Sequence, residues 1–333
     1  MFGELPKLFG RDFAIGCFLP VVVFFAITLP TTELFEMWPA LSKQIKSDLP
    51  IGVTLVILLS WVVATTLLGL NQLIYRVLEG YGSLNPARLM RRIELCRFRR
   101  LSAEISRLEQ SVDSVTGQPL QAALLELQKL GIKLAQRYPD SEEWLLPTSF
   151  GNTIRAFEVY PRVMYGLEGI QGWVRLLGVI PKDYIEVIGS TKALADLWVN
   201  SLVLTLAYLI SYVGLCAYTG RWIYLWIPAL AAVMCVAFYS LGRGGVEAWG
   251  ELVKSAFDVF LLDLQKKLPI SPQKSDVAER EVWERFSQAM VYRKPAHGID
   301  VQTHDKLRQR KCRFTLHCEI SKGPRLRGRY ARR

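Results

Sequence analysis

Hydrophobic and polar positions along the chain separate into long uncharged runs and shorter amphipathic ones. Four stretches contain no Asp, Glu, Lys or Arg: Phe13–Thr32, Leu49–Tyr75, Leu197–Gly220 and Trp222–Gly242. A helix of about 20 apolar residues crosses the hydrocarbon core of a bilayer, and each stretch is long enough to do so. The pattern therefore predicts transmembrane helices at 13–32, 49–75, 197–220 and 222–242. They fall into two pairs, one joined through residues 33–48 and the other through a turn at Gly220 and Arg221. Glu4 and Asp12 weaken the basic flank that a signal peptide needs. Pro30, Thr31 and Thr32 follow the run where a small-residue cleavage site would stand, so it reads as a retained helix.

The remaining residues carry helical periods. Asn85–Val112 predicts a helix with Pro86 in its first turn, where a fixed φ is favourable. Gln118–Tyr138 predicts a second, whose Leu124, Leu127, Leu130 and Leu134 form an apolar stripe in need of a partner. An antiparallel pair turning through "VDSVTGQP" is the simplest way to cover it. After the fourth run, Val246, Trp249, Val253, Phe257, Phe260 and Leu264 recur three or four apart, and Pro269 and Pro272 end that helix. Val277, Val282, Trp283 and Phe286 mark a last amphipathic helix within 275–292. No stretch alternates as a strand. The predicted fold is an all-α membrane protein: four transmembrane helices in two hairpins, and a cytoplasmic helical domain drawn from 76–196 and 244–292.

Charge adds an orientation and a tail. The formal net charge is +11, and residues 293–333 hold thirteen Lys and Arg against Asp300, Asp305 and Glu319, which accounts for +10 of it. The rest of the chain is nearly neutral. Arg76, Arg88, Arg91, Arg92, Arg97, Arg99 and Arg100 crowd the segment after the second run, whereas Lys43 and Lys46 are alone in the first connection. The positive-inside rule then places both termini and residues 76–196 in the cytoplasm. Trp38, Trp198, Trp222, Tyr224 and Trp226 stand near predicted span ends, where amphipathic rings favour the headgroup layer. Cys17, Cys216 and Cys235 lie in spans and Cys96 on a helix, which is no disulfide framework.

Candidate chemistry is sparse. Ser201, Thr205, Tyr208 and Tyr212 step by four, three and four residues, which sets four hydroxyls on one helical face. Such a stripe lines a water-filled pore assembled from several subunits, or it hydrogen-bonds to a neighbouring helix. The uncharged spans argue against proton-coupled transport. "PTSFGNTIRAFEVYPRVMYG", residues 147–166, has no P-loop ending, and the His residues are confined to the tail as His297, His304 and His317, so it reads as a joint and not a catalytic loop. Gly151 and Asn152 predict a tight turn with Asn as a helix cap, and Gly244 and Gly245 predict a second flexible joint. Arg91, Arg92, Arg308, Arg310, Lys311 and Arg313 are the candidate contacts for nucleic acid or anionic lipid. His304, Cys312, His317 and Cys318 match no standard zinc spacing, and no catalytic residue, metal or cofactor is expected.

The pattern Pro-Thr-x-x-Gly-Asn-x-x-Arg-Ala-x-Glu, then Tyr-Gly, then Trp-x-Arg-Leu, resembles that of a family of uncharacterised prokaryotic four-helix membrane proteins. The resemblance runs over 147–292, through "VNSLVLTLAYL", "WGELVKSAFDVFLLDLQ" and "EREVWERFSQAM". It implies the bacterial inner (plasma) membrane as the location and carries no activity. In layout the chain also looks like membrane effectors of antiphage systems, the Hailong type among them, which implies a channel controlled by a nucleic-acid signal. The expected function is a homo-oligomeric ion channel gated by the cytoplasmic helices, with an oligonucleotide or nucleotide as signal. The alternative is a non-conducting scaffold that recruits a cytoplasmic protein partner to the bilayer.

Overall fold

The computed structural model describes residues 10–33, 49–82, 85–112, 118–268, 270 and 275–292. Trp38, Lys43, Lys46, Pro269, Pro272 and the basic tail with Arg308, Arg310, Lys311, Arg313 and its His and Cys residues lie outside them, as do residues 113–117 of the turn between the two predicted helices. Among the described residues the regular elements are all helical, with no strand. Helix α1 runs through Arg11–Phe13, a π-helical turn at Ala14–Phe18, and Leu19–Glu33. Helix α2 is Leu49–Leu78. A 3-10 turn at Pro86–Met90, capped by the Asn85 side chain, leads into α3, Arg91–Val112, and α4, Gln118–Arg137, packs against it. Then follow α5, Ser149–Tyr165, α6, Gly169–Leu176, α7, Lys182–Thr219, α8, Trp226–Lys267, and α9, Asp276–Tyr292. Helices α1, α2, α7 and α8 are long and apolar enough to cross a membrane.

Helices α7 and α8 exceed what a bilayer requires. Their 38 and 42 residues extend about 57 and 63 Å at 1.5 Å per residue, roughly twice the hydrocarbon thickness. The third and fourth apolar stretches are therefore one end of each helix, and the amphipathic segments are the other. The two helices pack antiparallel. Tyr184 meets Phe260 with ring centroids 5.3 Å apart, Trp198 stacks on Phe238 at 6.0 Å, and Cys216 shares a buried cluster with Ile227.

Gly244 and Gly245, expected as a flexible joint, lie inside the unbroken α8. Packing explains the second of them. A β-carbon at Gly245 would sit 2.9 Å from Ala195 Cα, so the glycine lets α7 and α8 approach there. Gly244 faces open space and has no such role. The reading of a joint is corrected for both: tertiary contact along the whole helix outweighs the ~1 kcal/mol by which glycine disfavours a helix.

Gly151 and Asn152 are corrected too. They lie in the first turn of α5, whose N-cap is Thr148: its Oγ1 accepts from Gly151 N at 2.9 Å and donates to Leu78 O at 2.7 Å. Asn152 is wholly buried, accepting from Leu146 N at 2.7 Å and donating to Leu146 O at 3.1 Å. A β-carbon at Gly151 would lie 2.7 Å from Glu79 O. The stretch is a clamp that fastens the start of α5 to the end of α2. Gly166, at φ +79°, closes α5.

The core outside the apolar stretches gathers on the same helix pair. Val246, Val253, Phe257 and Leu264 of α8 meet Ile154 and Phe157 of α5 and Val282, Trp283 and Phe286 of α9. Burial of each large apolar side chain contributes about 1.5–3 kcal/mol. Val277, expected on the buried face of α9, is exposed.

These contacts separate the two glycines. Gly245→Ala forces α7 and α8 apart and is expected to cost about 1–3 kcal/mol, lowering the thermal midpoint followed by circular dichroism in detergent. Gly244→Ala is expected to be neutral or to stabilise by up to about 1 kcal/mol. Equal responses of the two variants would sink the packing account.

Candidate functional site

The four hydroxyls do share a face of α7, and that face meets α1. Tyr208 OH donates to Thr31 Oγ1 at 3.1 Å, while Tyr212 OH hydrogen-bonds the same hydroxyl and donates to Thr28 O at 3.3 Å. The two tyrosine rings stack with centroids 4.1 Å apart, and both residues are buried. Ser201 turns back on its own helix, donating to Leu197 O at 2.7 Å. Thr205 borders a cavity of about 350 Å³ between α1, α7 and α8, whose other walls include Phe24, Leu204, Ile227 and Phe238. Within one chain, two of the four groups are thus engaged by α1. Polar contacts of this kind between membrane helices contribute about 0.6–2 kcal/mol each. Outward, Ile57 and Leu58 of α2, Ile210 of α7 and Val233 and Val236 of α8 are exposed and apolar, as contact with lipid requires.

A stronger polar network lies where α7 leaves its apolar stretch. Asp196 precedes that stretch by one residue on the same helix and is nearly buried. Its carboxylate accepts from Lys192 Nζ at 2.7 Å, Tyr75 OH at 2.8 Å and Asn71 Nδ2 at 3.3 Å. The Lys192 ammonium also lies 5.3 Å from the centre of the Tyr75 ring and 5.8 Å from that of Trp249. One turn on, Asn200 Nδ2 donates to Gly16 O at 2.7 Å, within the π-helical turn of α1. Asp196 thereby ties α2 to α7, and Asn200 ties α1. The uncharged runs themselves hold no Asp, Glu, Lys or Arg, yet the fold sets this ion pair against Tyr75 and Asn71 inside the second of them. Sequence reading missed the network. Its visible signals were Lys192 and Asp196 at the i, i+4 spacing and the amides Asn71 and Asn200 within otherwise apolar runs. Because Asp196 already holds a counter-ion and two neutral donors, its chemistry is positional.

A second charged group stands just past α2. Burial pushes the Glu79 carboxyl up to about 7, with Glu158 adding to the rise and Arg155 and Arg76 opposing it. Burial raises the Glu158 carboxyl as well, against the pull of Arg155, whose Nη1 is 3.2 Å away. Arg155 also hydrogen-bonds Tyr81 OH. A carboxyl held near neutrality is a group that physiological pH changes.

The basic candidates are divided. Arg91 and Arg92 are exposed on α3. Arg97 and Arg100, one and two turns further along, border a cleft with cations from other helices. No known family, curated protein or solved structure matches this chain.

Two substitutions rank the polar contacts. Tyr75→Phe removes a hydrogen bond to a charged acceptor and is expected to cost about 1.5–3 kcal/mol, whereas Tyr212→Phe is expected to cost about 0.6 kcal/mol. Thermal midpoints in detergent in the reverse order would refute the ranking. For Glu79, the folded carboxyl titrates at about 7 against an ordinary 4.5, so the folded state keeps its extra proton between those values. Its contribution is fully present below about pH 4.5 and is lost as pH rises through 7, a decline of on the order of 1 kcal/mol once solvent access is allowed for. Glu79→Gln should flatten that part of the stability–pH curve, and an unchanged slope would show that another group titrates.

Proposed function

We propose that the protein is a membrane-anchored docking scaffold, non-conducting by itself, whose helical domain faces the cytoplasm and receives a protein partner there. The observation that carries this reading is the engagement of Tyr208 and Tyr212 by Thr28 and Thr31 within one chain. A pore would need those hydroxyls to face water. Their burial, together with the apolar outward faces of the spans, fits an anchor. Helices α7 and α8 then act as two rigid posts, since each passes without a break from the apolar region into the outer domain. On that domain Leu124, Leu125 and Ile132 of α4, and Ile170 and Val174 of α6, are exposed apolar positions suited to a partner.

A homo-oligomeric channel gated by the same domain, an antiphage effector answering a nucleic-acid signal, is the second reading. It is favoured by Ala207, Ser211, Gly214 and Tyr218, a face of α7 that stays exposed and is less apolar than its neighbours. Such a face packs against, or shares water with, another copy.

Planar-bilayer recording separates the two. The folded, inserted protein is expected to give no discrete conductance steps, with or without a short oligonucleotide on the side that bears Arg91 and Arg92. Discrete steps whose size changes on Ser211→Leu would overturn the scaffold and establish the oligomeric pore.

A further inference from the structure

Five cationic side chains from three helices converge on one cleft of about 490 Å³: Arg97 and Arg100 of α3, Lys133 and Arg137 of α4, and Arg243 of α8. Ser149, the first residue of α5, also borders it. We propose that this cleft binds a compact phosphate-bearing anion of two or more negative charges. The assignment rests on neither reading of the protein's function.

The charge balance comes first. Glu94 engages Arg97 at 2.7 Å, and Glu247 engages Arg137 at 2.9 Å and Arg243 at 3.5 Å. Glu104 is the acidic residue on the cleft wall. Against these three carboxylates the five cations leave a local excess of two positive charges. Arg100 and Lys133 have no carboxylate partner among the described residues, whereas Arg97, Arg137 and Arg243 each have one. Like charges drawn together from separate helices repel. An anion removes that penalty.

The donor types select phosphate. Guanidinium groups present paired N–H donors that match phosphate oxygens, and a lysine adds a compact point charge. Here the two kinds stand together on opposed helices. The size of the cleft selects further. At about 490 Å³ it takes a headgroup or a nucleotide-sized ligand, and it is too small to enclose a polynucleotide strand. Its position is the third constraint. Arg243 directly follows the apolar stretch that ends at Gly242, so the cleft lies at the depth of the headgroup layer. A basic pocket at that depth takes its phosphate from a lipid or from a soluble phosphoester at the surface. The exposed Arg91 and Arg92 lack this convergence and belong to the general electrostatic surface.

The test uses the full chain in nanodiscs of phosphatidylcholine, titrated with inorganic pyrophosphate in a calorimeter. One saturable site is expected. The double variant Arg100→Gln/Lys133→Gln should weaken it at least about tenfold, while Arg91→Gln/Arg92→Gln leaves it unchanged. The double variant loses repulsion and no ion pair, so its thermal midpoint is expected to hold or rise, which keeps a binding loss interpretable. Lys133→Arg, which preserves the charge, should retain binding even if the glutamine variant proves unstable. A second arm repeats the titration in nanodiscs with a fifth of the lipid as phosphatidic acid. If the lipid suppresses pyrophosphate binding, the bound phosphate is a lipid headgroup. If the affinity is the same in both discs, it is a soluble phosphoester. Absence of a saturable site in phosphatidylcholine combined with equal retention of phosphatidic acid by native and double-variant protein would overturn the proposal, as would a double variant that binds pyrophosphate like the native chain.

Discussion

Ala195 and Gly245 meet with no room for a β-carbon between them, and the rest of the architecture hangs on that contact. It brings α7 and α8 together midway along two helices that are each about twice as long as a bilayer is thick. One end of the pair is apolar and outward-facing on most sides. The other end collects α5, α6 and α9 around Phe257 and Trp283. A single helix pair thus belongs to the membrane region and to the outer domain at once, and motion at one end has no loop in which to be absorbed.

The other two spans are attached by polar contacts of unequal strength. In hydrocarbon every polar group must find an internal partner. The hydroxyls of Tyr208 and Tyr212 meet this demand with Thr28 and Thr31, which joins α1 to α7 through neutral hydrogen bonds. Nearer the outer domain, Asp196, Lys192, Tyr75, Asn71 and Asn200 do the same with a charge involved, and they join α1 and α2 to α7. Charge-assisted bonds are about twice as strong as neutral ones. The network at the margin of the apolar region therefore dominates the attachment of the spans, and the stripe that draws the eye in the sequence is the lesser tie.

Electrostatics also organises what lies outside the spans. The conspicuous basic tail carries +10 of the chain's +11 net charge, yet a compact site depends on convergence and not on number. Arg97, Arg100, Lys133, Arg137 and Arg243 are scattered over 147 positions of the chain, and helix packing alone makes them neighbours. Glu79 and Glu158 are a related case. They become a coupled carboxyl pair only because Gly151 lets α5 come against the end of α2.

What the sequence determined by itself is whatever a local average or a helical period expresses. The four apolar helices follow from hydropathy summed over about 20 residues, and the buried faces of α8 and α9 follow from a 3.6-residue repeat. The pairing of α3 with α4 follows from one short connection and from Leu127, Leu130 and Leu134 of the leucine stripe, whose first member, Leu124, stays exposed. A period identifies the face of a helix that needs a partner, but it says nothing about which partner arrives. Tertiary structure alone decided that the hydroxyl face of α7 meets α1 and that Asp196 enters the bundle. It also turned Asn152 from a cap into a clamp and kept Gly244 and Gly245 inside an unbroken helix. Each of these outcomes depends on contacts between residues distant in the chain, whose energies of a few kcal/mol exceed the local preferences of glycine and asparagine that sequence reading relies on.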